Sequence, residues 1–549
     1  MRNTVKGPKL TLRAIAGSHV VVLGWSMRRS DTAGLLGFAI ERSEFQGAKI
    51  VEKYFLRGIK RFAEKDTGLA SGSPVPTSEH PVQSFQWGDY TPRPGVHYRY
   101  RVVPAKGAPK HLQLQDAAAL AVDISTEPES GPQHEVYFNR GVAGSQAYAR
   151  KFSNPHPETS DPQSAQMRWL SRGLYEALVA FIGQASGPGF GLRGALYEFH
   201  YEPVGQAVRA ALDAGADVRV LYDAPNYRIR NEAMIQALGL IAACQPRGAG
   251  GAQKHNKYLV LLKAGEPIAV WTGSTNISAG GIFGHSNVGH VVRDPALAAQ
   301  FLALWQALEA DPTPERLAAR NEAASPLPRT LPGRGATTAL FSPRAAGTLD
   351  WYARLMATAR GMVCFTVAFS LAKGFETVLA RPSPVLRYVL ADKPLNGGAP
   401  ISRDHNLVVA SGAKFDKGEL ANFLAEHLTG LNSNYYIHTK FMLVDPLGKR
   451  PTVVTGSANF SAASQTRNDE NMLVIRGDTR VADIYFGEFM RIFDHLYARY
   501  LAQQIRAAAT LPKAAGSGRA GFLHDNDHWV AAHFGDGPKS LRRQYFAGI

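Results

Sequence analysis

The stretch YIHTKFMLVDPLGKRPTVVTGSANFS, Tyr436–Ser461, decides the fold because the chain also contains a second version, QKHNKYLVLLKAGEPIAVWTGSTNIS, Gln253–Ser278. The two stretches align without a gap at a constant offset of 183 residues. Polar residues are preserved in register, whereas the apolar residues between them vary. A match of this kind over this length predicts two duplicated structural units.

Each copy preserves one histidine, one lysine, one serine and one asparagine. These are His255, Lys257, Ser274 and Asn276 in the first copy, and His438, Lys440, Ser457 and Asn459 in the second. The histidine and the lysine lie two residues apart at the start of an apolar run, so on a strand they share a face. The serine and the asparagine have the same spacing after a glycine, where a strand would end. Two such units facing each other would double this set around one point.

The regions around the repeat alternate helical and strand-like patterns, as in RWLSRGLYEALVAFIG, DVRVLYDA and PVLRYVLAD. This alternation predicts an α/β fold, with two α/β/α lobes related by a pseudo-twofold axis. The N-terminal region instead has short period-two runs, such as PGVHYRYRVVPA, in which Tyr98, Tyr100 and Val102 share one face. It predicts an all-β sandwich in front of the lobes, and this run resembles the late strands of a fibronectin type III domain.

Changes in composition predict the domain boundaries. The expected segments are a β-sandwich over 1–130, a linker rich in Pro, Ser, Asp and Gln over 131–165, a first lobe over 166–325, a second lobe over 326–508 and a C-terminal tail over 509–549. The Pro- and Arg-rich sequence SPLPRTLPGRG joins the two lobes.

The composition is that of an ordinary globular protein with a strongly basic surface. The 549 residues carry a formal charge of +16, so the surface should attract polyanions or anionic membranes, although a solvated basic face without a specific partner has the same composition. Cys244 and Cys364 lie far apart in apolar surroundings, which favours buried thiols in a reducing compartment. With no apolar run near 18 residues and no signal-like N-terminus, the expected location is the cytoplasm.

The paired polar set matches the chemistry of phosphoryl transfer. Lysine ammonium groups and Ser or Asn donors can hold phosphate oxygens and stabilise the charge of the transition state. One histidine can attack phosphorus while the other protonates the leaving oxygen and then activates water. This scheme requires neither a metal nor a cofactor.

The motif HTKFMLVD followed by GSANFS resembles the His-x-Lys-x4-Asp signature of the phospholipase D superfamily and its Gly-Ser-x-Asn element. The resemblance covers roughly residues 142–508. It implies two α/β lobes whose histidines meet at a shared cleft, and cleavage or transfer at the phosphodiester bond of a phospholipid or nucleic acid. By similarity the two histidines and two lysines are catalytic, and Ser274, Asn276, Ser457 and Asn459 bind the substrate phosphate.

The two copies differ from each other at two positions. Leu262 stands where the signature has Asp, whereas the second copy keeps Asp445, for which a structural role is expected. Glu470 follows the second Gly-Ser-x-Asn element, and the offset places Asn287 opposite it. The hypothesis from sequence is that Glu470 accepts a hydrogen bond from His438 and makes it the general acid, leaving His255 neutral as the nucleophile.

Other residues near the motifs receive no assigned role. Tyr197, Glu198 and Tyr201 are expected to pack in the core or at the rim of the cleft. His285 and His290 flank the first motif, but nothing in the sequence identifies them as ligands.

Three functions are consistent with this pattern. The leading prediction is a metal-independent phosphodiesterase, a hydrolase or transferase of phospholipids at a membrane surface. The alternatives are a nuclease, which the positive charge favours, and a phosphate-binding module that lost turnover together with the Asp at position 262. Because both half-sites lie in one chain, a monomer is expected.

Overall fold

The structure is a computed structural model that describes residues 1–69, 73–141, 145–153, 157–345, 347–368, 371–392, 406–411, 437–509 and 522–549. These residues divide into two compact units. Within the described ranges we call residues 1–128 and 483–549 the β-unit, and residues 129–411 and 437–482 the two-lobe unit.

The β-unit contains two antiparallel sheets and a short hairpin. The first sheet has the order β1 (Arg2–Lys6), β2 (Leu10–Ala16), β3 (Val21–Met27) and β8 (Gln86–Asp89). The second consists of β4 (Leu35–Gln46), β5 (Lys49–Phe55), β9 (His97–Ala108), β10 (His111–Leu114) and β11 (Leu120–Ser125), and the hairpin of β6 (Arg57–Gly58) and β7 (Val75–Pro76). Trp25 from the first sheet and Tyr98, Tyr100 and Val102 from the second lie in one buried core, which confirms the predicted all-β sandwich. Its likeness to fibronectin type III stays a prediction.

The end of the chain packs against this sandwich. A 3₁₀ helix, Asp527–His533, places Trp529 in the sandwich core, and the indole Nε1 donates to Leu35 O at 3.0 Å. The last helix of the chain, Pro538–Ala547, buries Phe546 against β3. Gly24 permits this close approach, since a Cβ there would lie 2.4 Å from the Phe546 carbonyl. Within the predicted tail, residues 522–549 are therefore part of the fold.

The two-lobe unit contains two seven-stranded mixed sheets with the same strand order. The first runs β12 (His134–Phe138), β18 (Val288–Val292), β17 (Glu266–Gly273), β16 (Lys257–Lys263), β13 (Phe190–Leu196), β14 (Asp217–Asp223) and β15 (Cys244–Arg247). The second runs β19 (Thr337–Ser342), β25 (Glu470–Arg476), β24 (Thr452–Gly456), β23 (Phe441–Val444), β20 (Met362–Val367), β21 (Leu386–Ala391) and β22 (Leu407–Ser411). Position by position the two sheets correspond, which confirms the duplicated α/β lobes.

Helices cover these sheets and connect their strands. In the two-lobe unit they are α1 (Ser145–Phe152), α2 (Ala165–Ser171), α3 (Leu174–Gly183), α4 (Glu202–Asp213), α5 (Arg228–Ala237), α6 (Pro295–Glu309), α7 (Pro314–Ala324), α8 (Thr348–Ala357), α9 (Lys373–Ala380) and α10 (Ala462–Thr466). The helix α11 (Thr479–Ala509) begins in the two-lobe unit and continues in the β-unit, and the C-terminal helix Pro538–Ala547, α12, belongs to the β-unit. The apolar periodicity around α2 and α3 extends across both, yet the helix breaks at Arg172 and Gly173, which adopt φ values of 49° and 92°. The local backbone, and not the periodicity, sets this boundary.

Residues 131–165, which the sequence assigns to a linker, supply β12 to the edge of the first sheet and contain α1. Val136 and Phe138 are buried in β12, because the short sequence HEVYF has the period of two that suits an edge strand. The remaining predicted domain boundaries stay a prediction.

Candidate active site

The two His-x-Lys motifs occupy equivalent places, at the start of the central strands β16 and β23. Lys257 Nζ donates to His255 O at 2.6 Å, and Lys440 Nζ donates to His438 O. All four side chains lie in the two-lobe unit, and Lys257 and Lys440 are each only 1% exposed. Each lobe thus presents a buried ammonium next to an imidazole, as the spacing predicts.

An aspartate in each lobe holds the backbone just before the histidine. Asp223 Oδ2 accepts from Lys254 N at 2.9 Å, and Asp392 Oδ1 accepts from Ile437 N at 3.1 Å. Asp223 is the last residue of β14, and Asp392 directly follows β21. The sequences LYDAP and VLADKP show an Asp at each of these strand ends, but the motif spacing alone does not connect the two aspartates with the histidines.

The two histidines are paired across the lobes and not within them. His255 Nδ1 lies 2.9 Å from Glu470 Oε2, and His438 Nδ1 lies 2.8 Å from Asn287 Oδ1. The predicted bond from His438 to Glu470 is therefore wrong: Glu470 reaches the histidine of the opposite lobe. Each lobe supplies the partner of the other lobe's imidazole, so the two half-sites form a single centre.

Hydrogen bonds determine which nitrogen of each ring carries the proton. Asn287 Nδ2 donates to Gly281 O at 2.7 Å, so its Oδ1 must be the atom that accepts from His438 Nδ1. The carboxylate of Glu470 likewise accepts from His255 Nδ1. In both rings Nε2 is left as the reactive nitrogen.

The two motif serines orient these partners. Ser274 Oγ donates to Asn287 Oδ1 at 2.8 Å, and Ser457 Oγ donates to Glu470 Oε2 at 2.7 Å. Both serines are fully buried. Their hydroxyl protons are therefore engaged, and these bonds favour a role in holding Asn287 and Glu470 over the predicted direct contact with phosphate.

The glycine before each serine is required by a close approach of two backbones. A Cβ at Gly273 would lie 2.3 Å from Val288 O, and a Cβ at Gly456 would lie 2.2 Å from Asn471 O. Ser274 N and Ser457 N donate to these same two carbonyls. The Gly-Ser pair therefore keeps each serine against the strand that carries Asn287 or Glu470.

Burial lowers the pKa of both imidazoles below the ordinary value. For His255 the carboxylate of Glu470 opposes this effect, whereas for His438 the nearby groups Lys440, His285 and Lys257 lower the pKa further. Both rings are consequently neutral in the free protein near pH 7. Protonation of His438 requires an added negative charge, which a phosphodiester would supply.

The two lysines form a desolvated pair of like charges. Burial lowers the pKa of Lys257 to about 8, although Glu470, Glu198 and Asp223 raise it. Burial also lowers the pKa of Lys440 well below its usual value, and the ammonium of Lys257 lowers it further. An anion between the two lysines would relieve both effects, so the site is suited to phosphate.

Because Lys257 is protonated only below about pH 8, affinity for an anion should fall as the pH rises through that value. Dimethyl phosphate is a suitable probe because it stays a monoanion throughout. We expect its affinity, measured by calorimetry, to drop by up to about tenfold per pH unit above pH 8. The variant Lys257→Arg should retain affinity to higher pH. Equal affinity at pH 7 and pH 10 for the wild type would contradict this assignment.

The two motif asparagines are not equivalent. Asn276 Nδ2 donates to Glu198 Oε1 at 2.5 Å, which ties it to the end of β13. The Oδ1 atoms of Asn276 and Asn459 both have no hydrogen-bond partner among the residues that the structure describes. The two asparagines thus differ in their amide nitrogens, because Asn276 Nδ2 is held by Glu198.

Several residues that sequence reasoning set aside belong to the site. The ring of Tyr197 lies 4.7 Å from that of His255, and Lys257 Nζ lies 5.0 Å from the Tyr197 centroid. Glu198 binds Asn276 and raises the pKa of both lysines. His285 lies 5.7 Å from the ring of His438, and its pKa is lowered to about 4, chiefly by burial. In the sequence, the one feature that could have pointed to Tyr197 and Glu198 is their position directly after β13.

His290 and Tyr201, which the sequence analysis also considered, have structural roles. His290 Nε2 is 2.9 Å from His134 Nδ1 in the core of the first lobe. Tyr201 packs on Phe283 and donates from its hydroxyl to Thr159 O at 2.9 Å.

Asp445 caps the chain that leads into β20. Its carboxylate accepts from the backbone N–H groups of Arg360, Gly361 and Met362 at 2.7 to 3.1 Å. In the first lobe, Leu262 stands at the position equivalent to Asp445 and pairs with Gly191, so β16 continues through this position. Leu262 thus replaces a carboxylate cap by continued strand pairing.

The Asp445→Ala variant should unfold more easily while keeping its active-site geometry. Loss of a carboxylate that satisfies three amides is expected to lower the free energy of unfolding by about 2 to 4 kcal/mol, measured by denaturant unfolding. Asp445→Asn is the matched control, because one carboxamide oxygen can still accept and Asn tolerates the φ of 49° found here. An unchanged midpoint for Asp445→Ala would refute the capping role.

A cavity of about 570 Å³ opens in the first lobe next to His285, whose ring lies 5.7 Å from that of His438. It is lined by Glu198, His200, Glu202, Tyr227, Arg230 and His285, among others. The ionised groups in this wall are two carboxylates and one guanidinium. A leaving group of moderate size attached to the phosphate would fit here.

None of the helices in the described ranges, 1–69 through 522–549 with the gaps given above, combines the length and apolar composition needed to cross a bilayer.

Residues 405–496 match the family model described as "Cardiolipin synthase, PLD-like domain". No curated protein matches the chain.

Similar solved structures include polyphosphate kinase from Porphyromonas gingivalis, with 13% identity over 82% of this chain and 72% of that one and a TM-score of 0.39. Phosphatidylserine synthase from Haemophilus influenzae has 12% identity over 64% and 94% of the two chains and a TM-score of 0.41. Nuc from Salmonella typhimurium, a phospholipase D family member, has 23% identity over 28% and 91% and a TM-score of 0.19.

Proposed function

We propose that this chain is a phosphodiesterase of the phospholipase D type, which cleaves the phosphodiester bond of a phospholipid through a phosphohistidine at His255; the family match over residues 405–496 supports the proposal. The observation that carries the proposal is the crossed pairing of His255 with Glu470 and of His438 with Asn287. It supports a single centre in which one imidazole has a carboxylate partner and the other has a carboxamide partner.

In the first step His255 Nε2 attacks phosphorus and forms an N–P bond. The P–O bond to the leaving alcohol breaks, and that oxygen takes a proton from His438 Nε2. Glu470 supports His255 as the nucleophile, because its carboxylate keeps the proton on Nδ1 and stabilises the positive charge that develops on the ring. In this scheme Lys257, Lys440 and Asn459 would donate to the phosphate oxygens.

In the second step His438 acts as a base. It removes a proton from water or from an acceptor alcohol, the oxygen attacks phosphorus, and the N–P bond breaks to restore His255. Asn287 suits this alternation, because a carboxamide holds the ring without the full negative charge that would keep His438 protonated. The same scheme serves hydrolysis and transfer.

The cavity beside His285 favours a phospholipid over a nucleic acid. A nucleic-acid strand would bring further phosphates next to the scissile one, and Glu198 and Glu202 in the cavity wall would repel them. A neutral or cationic alcohol head group meets no such repulsion. The net charge of +16 favours the alternative, a nuclease, so the two functions must be compared directly.

The test is a substrate panel in EDTA with phosphatidylcholine vesicles, cardiolipin vesicles and plasmid DNA, each with and without an added primary alcohol. We expect a phospholipid to be cleaved, and the alcohol to divert the product to a phosphatidyl ester if transfer is efficient. His255→Ala serves as the blank. Cleavage of DNA alone would establish the nuclease, and activity that persists in His255→Ala, or that requires a metal, would reject the proposed mechanism.

A further inference from the structure

The β-unit contains a second large cavity that has no part in the chemistry above. Its volume is about 850 Å³, within the range of small-molecule sites. Three stretches that are distant in sequence line it: residues 57–60, residues 80–87 and the C-terminal segment 522–539. The segment that closes the cavity is held by Gln83, whose carboxamide donates to His524 O and accepts from His524 N.

The wall of this cavity carries uncompensated positive charge. Arg57, Lys60 and Lys539 line it, and none of them forms an ion pair or hydrogen bond within the described part of the chain. Asp525 is the one carboxylate among the described lining residues. Lys539 is also the second residue of α12, where the positive end of the helix dipole adds to the potential.

The two lysines are close enough to affect each other. Burial lowers the pKa of Lys60, and the ammonium of Lys539 lowers it further. Neither ammonium forms an ion pair or hydrogen bond with another residue in the described ranges, and both lysines are exposed to solvent. Like charges brought together at a cavity wall cost stability, and an anion between them would recover it.

Neutral donors and an aromatic surface complete the wall. His80 Nδ1 accepts from Phe62 N at 3.1 Å, so the neutral ring carries its proton on Nε2 and can donate from that atom. The half-buried indole of Trp87 also lines the cavity. This combination fits an anion with several acceptor oxygens attached to an organic group.

We propose that this cavity of the β-unit binds a phosphomonoester or diphosphate group, held by Lys60, Lys539 and Arg57. The group would belong either to a free phosphorylated molecule or to the head group of an anionic lipid, because both present the same oxygens. The site is independent of the catalytic centre and does not rest on the proposed function.

Calorimetric titration with pyrophosphate tests the proposal on the full chain. The background carries Lys257→Ala and Lys440→Ala, so that the catalytic centre does not contribute phosphate binding. We expect Lys60→Gln and Lys539→Gln each to weaken binding by at least about tenfold, whereas Lys49→Gln, an exposed lysine on β5, should have no effect. No binding to the background protein, or equal binding by all variants, overturns the proposal.

Thermal unfolding supplies a second readout that a merely structural lysine would not produce. Without ligand, Lys60→Gln should melt at a higher temperature than its parent, because the repulsion from Lys539 is gone. In saturating pyrophosphate the order should reverse, because only the parent gains the binding energy. A Lys60→Gln variant that is less stable under both conditions would argue for a structural role and against the site.

The source of the phosphate is distinguished by vesicles. Phosphatidic-acid vesicles that bind the parent but not Lys60→Gln, with no binding to phosphatidylcholine vesicles, would assign a lipid head group. Pyrophosphate binding without vesicle binding would assign a free molecule, and both results support the phosphate site. Binding of a DNA oligonucleotide that pyrophosphate cannot displace would overturn it.

Discussion

A His438→Ala variant that is given a phosphodiester with a nitrophenol leaving group is expected to stop as a phosphohistidine at His255. Nitrophenol departs without a general acid, so the first step survives the loss of His438, whereas hydrolysis of the N–P bond still requires a base. Turnover should fall by about 10² to 10⁴-fold while the covalent adduct accumulates. Intact mass spectrometry followed by peptide mapping measures both the amount and the position of the adduct.

The matched variant is His255→Ala, which removes the proposed nucleophile. It should form no adduct and should lose at least about 10⁴-fold in rate with every substrate, including the one with the good leaving group. His290→Ala serves as a control, because His290 is buried away from the pair and bonded to His134. An adduct found on His438 in the wild type would reverse the two roles.

Replacement of a catalytic lysine should separate activity from stability. Lys440→Met removes a desolvated ammonium that faces a second one at Lys257, and keeps most of the side-chain volume. We expect kcat/KM to fall by about 10² to 10³-fold, since transition-state charge loses a donor. The same variant should unfold at a higher temperature than the wild type, because the repulsion and the desolvation cost are gone.

The control for Lys440→Met is a variant of Lys263, which lies on the same strand as Lys257. Lys263 is exposed at the far end of β16, so Lys263→Ala should change neither rate nor melting temperature appreciably. Lys440→Arg keeps the charge and should recover part of the activity. If Lys440→Met proves less stable than the wild type and Lys440→Arg equally inactive, the lysine is a structural element and not a phosphate ligand.

The difference between Glu470 and Asn287 makes the two histidines of the centre chemically unequal. One imidazole has a carboxylate partner and the other has a carboxamide, although the surrounding strands, serines and glycines repeat from lobe to lobe. A symmetric centre would let either histidine attack. In the proposed mechanism the charge of Glu470 supports His255 as the nucleophile, and His438 can change its protonation state during turnover.

Sequence analysis identified the paired histidines and lysines as site candidates but assigned Glu470 to the wrong histidine. The constant offset correctly pairs Glu470 with Asn287 as equivalent positions. It cannot say which imidazole each one contacts, because both a within-lobe and a cross-lobe contact satisfy the same spacing. The crossing follows from the way the two sheets face each other in the two-lobe unit.

The sequence could not distinguish two roles for Ser274 and Ser457 for a related reason. A buried hydroxyl and one that faces a ligand occupy the same position in the pattern, and only the hydrogen bonds to Asn287 and Glu470 distinguish them. Tyr197 and Glu198 were expected only to pack in the core or at the rim of the cleft. Their role depends on how β13 ends, which brings them against His255, Lys257 and Asn276.

By itself the sequence determined that the chain has two α/β lobes behind a β-sandwich and that each lobe contributes a histidine, a lysine, a serine and an asparagine. The alternation of polar and apolar residues and the repeat at a constant offset can both be read from the order of the residues. Only the tertiary structure decided which carboxylate or carboxamide meets which imidazole, and that the C-terminal segment closes a basic cavity in the β-unit. Such contacts join residues far apart in the chain, and their geometry depends on the packing of whole sheets.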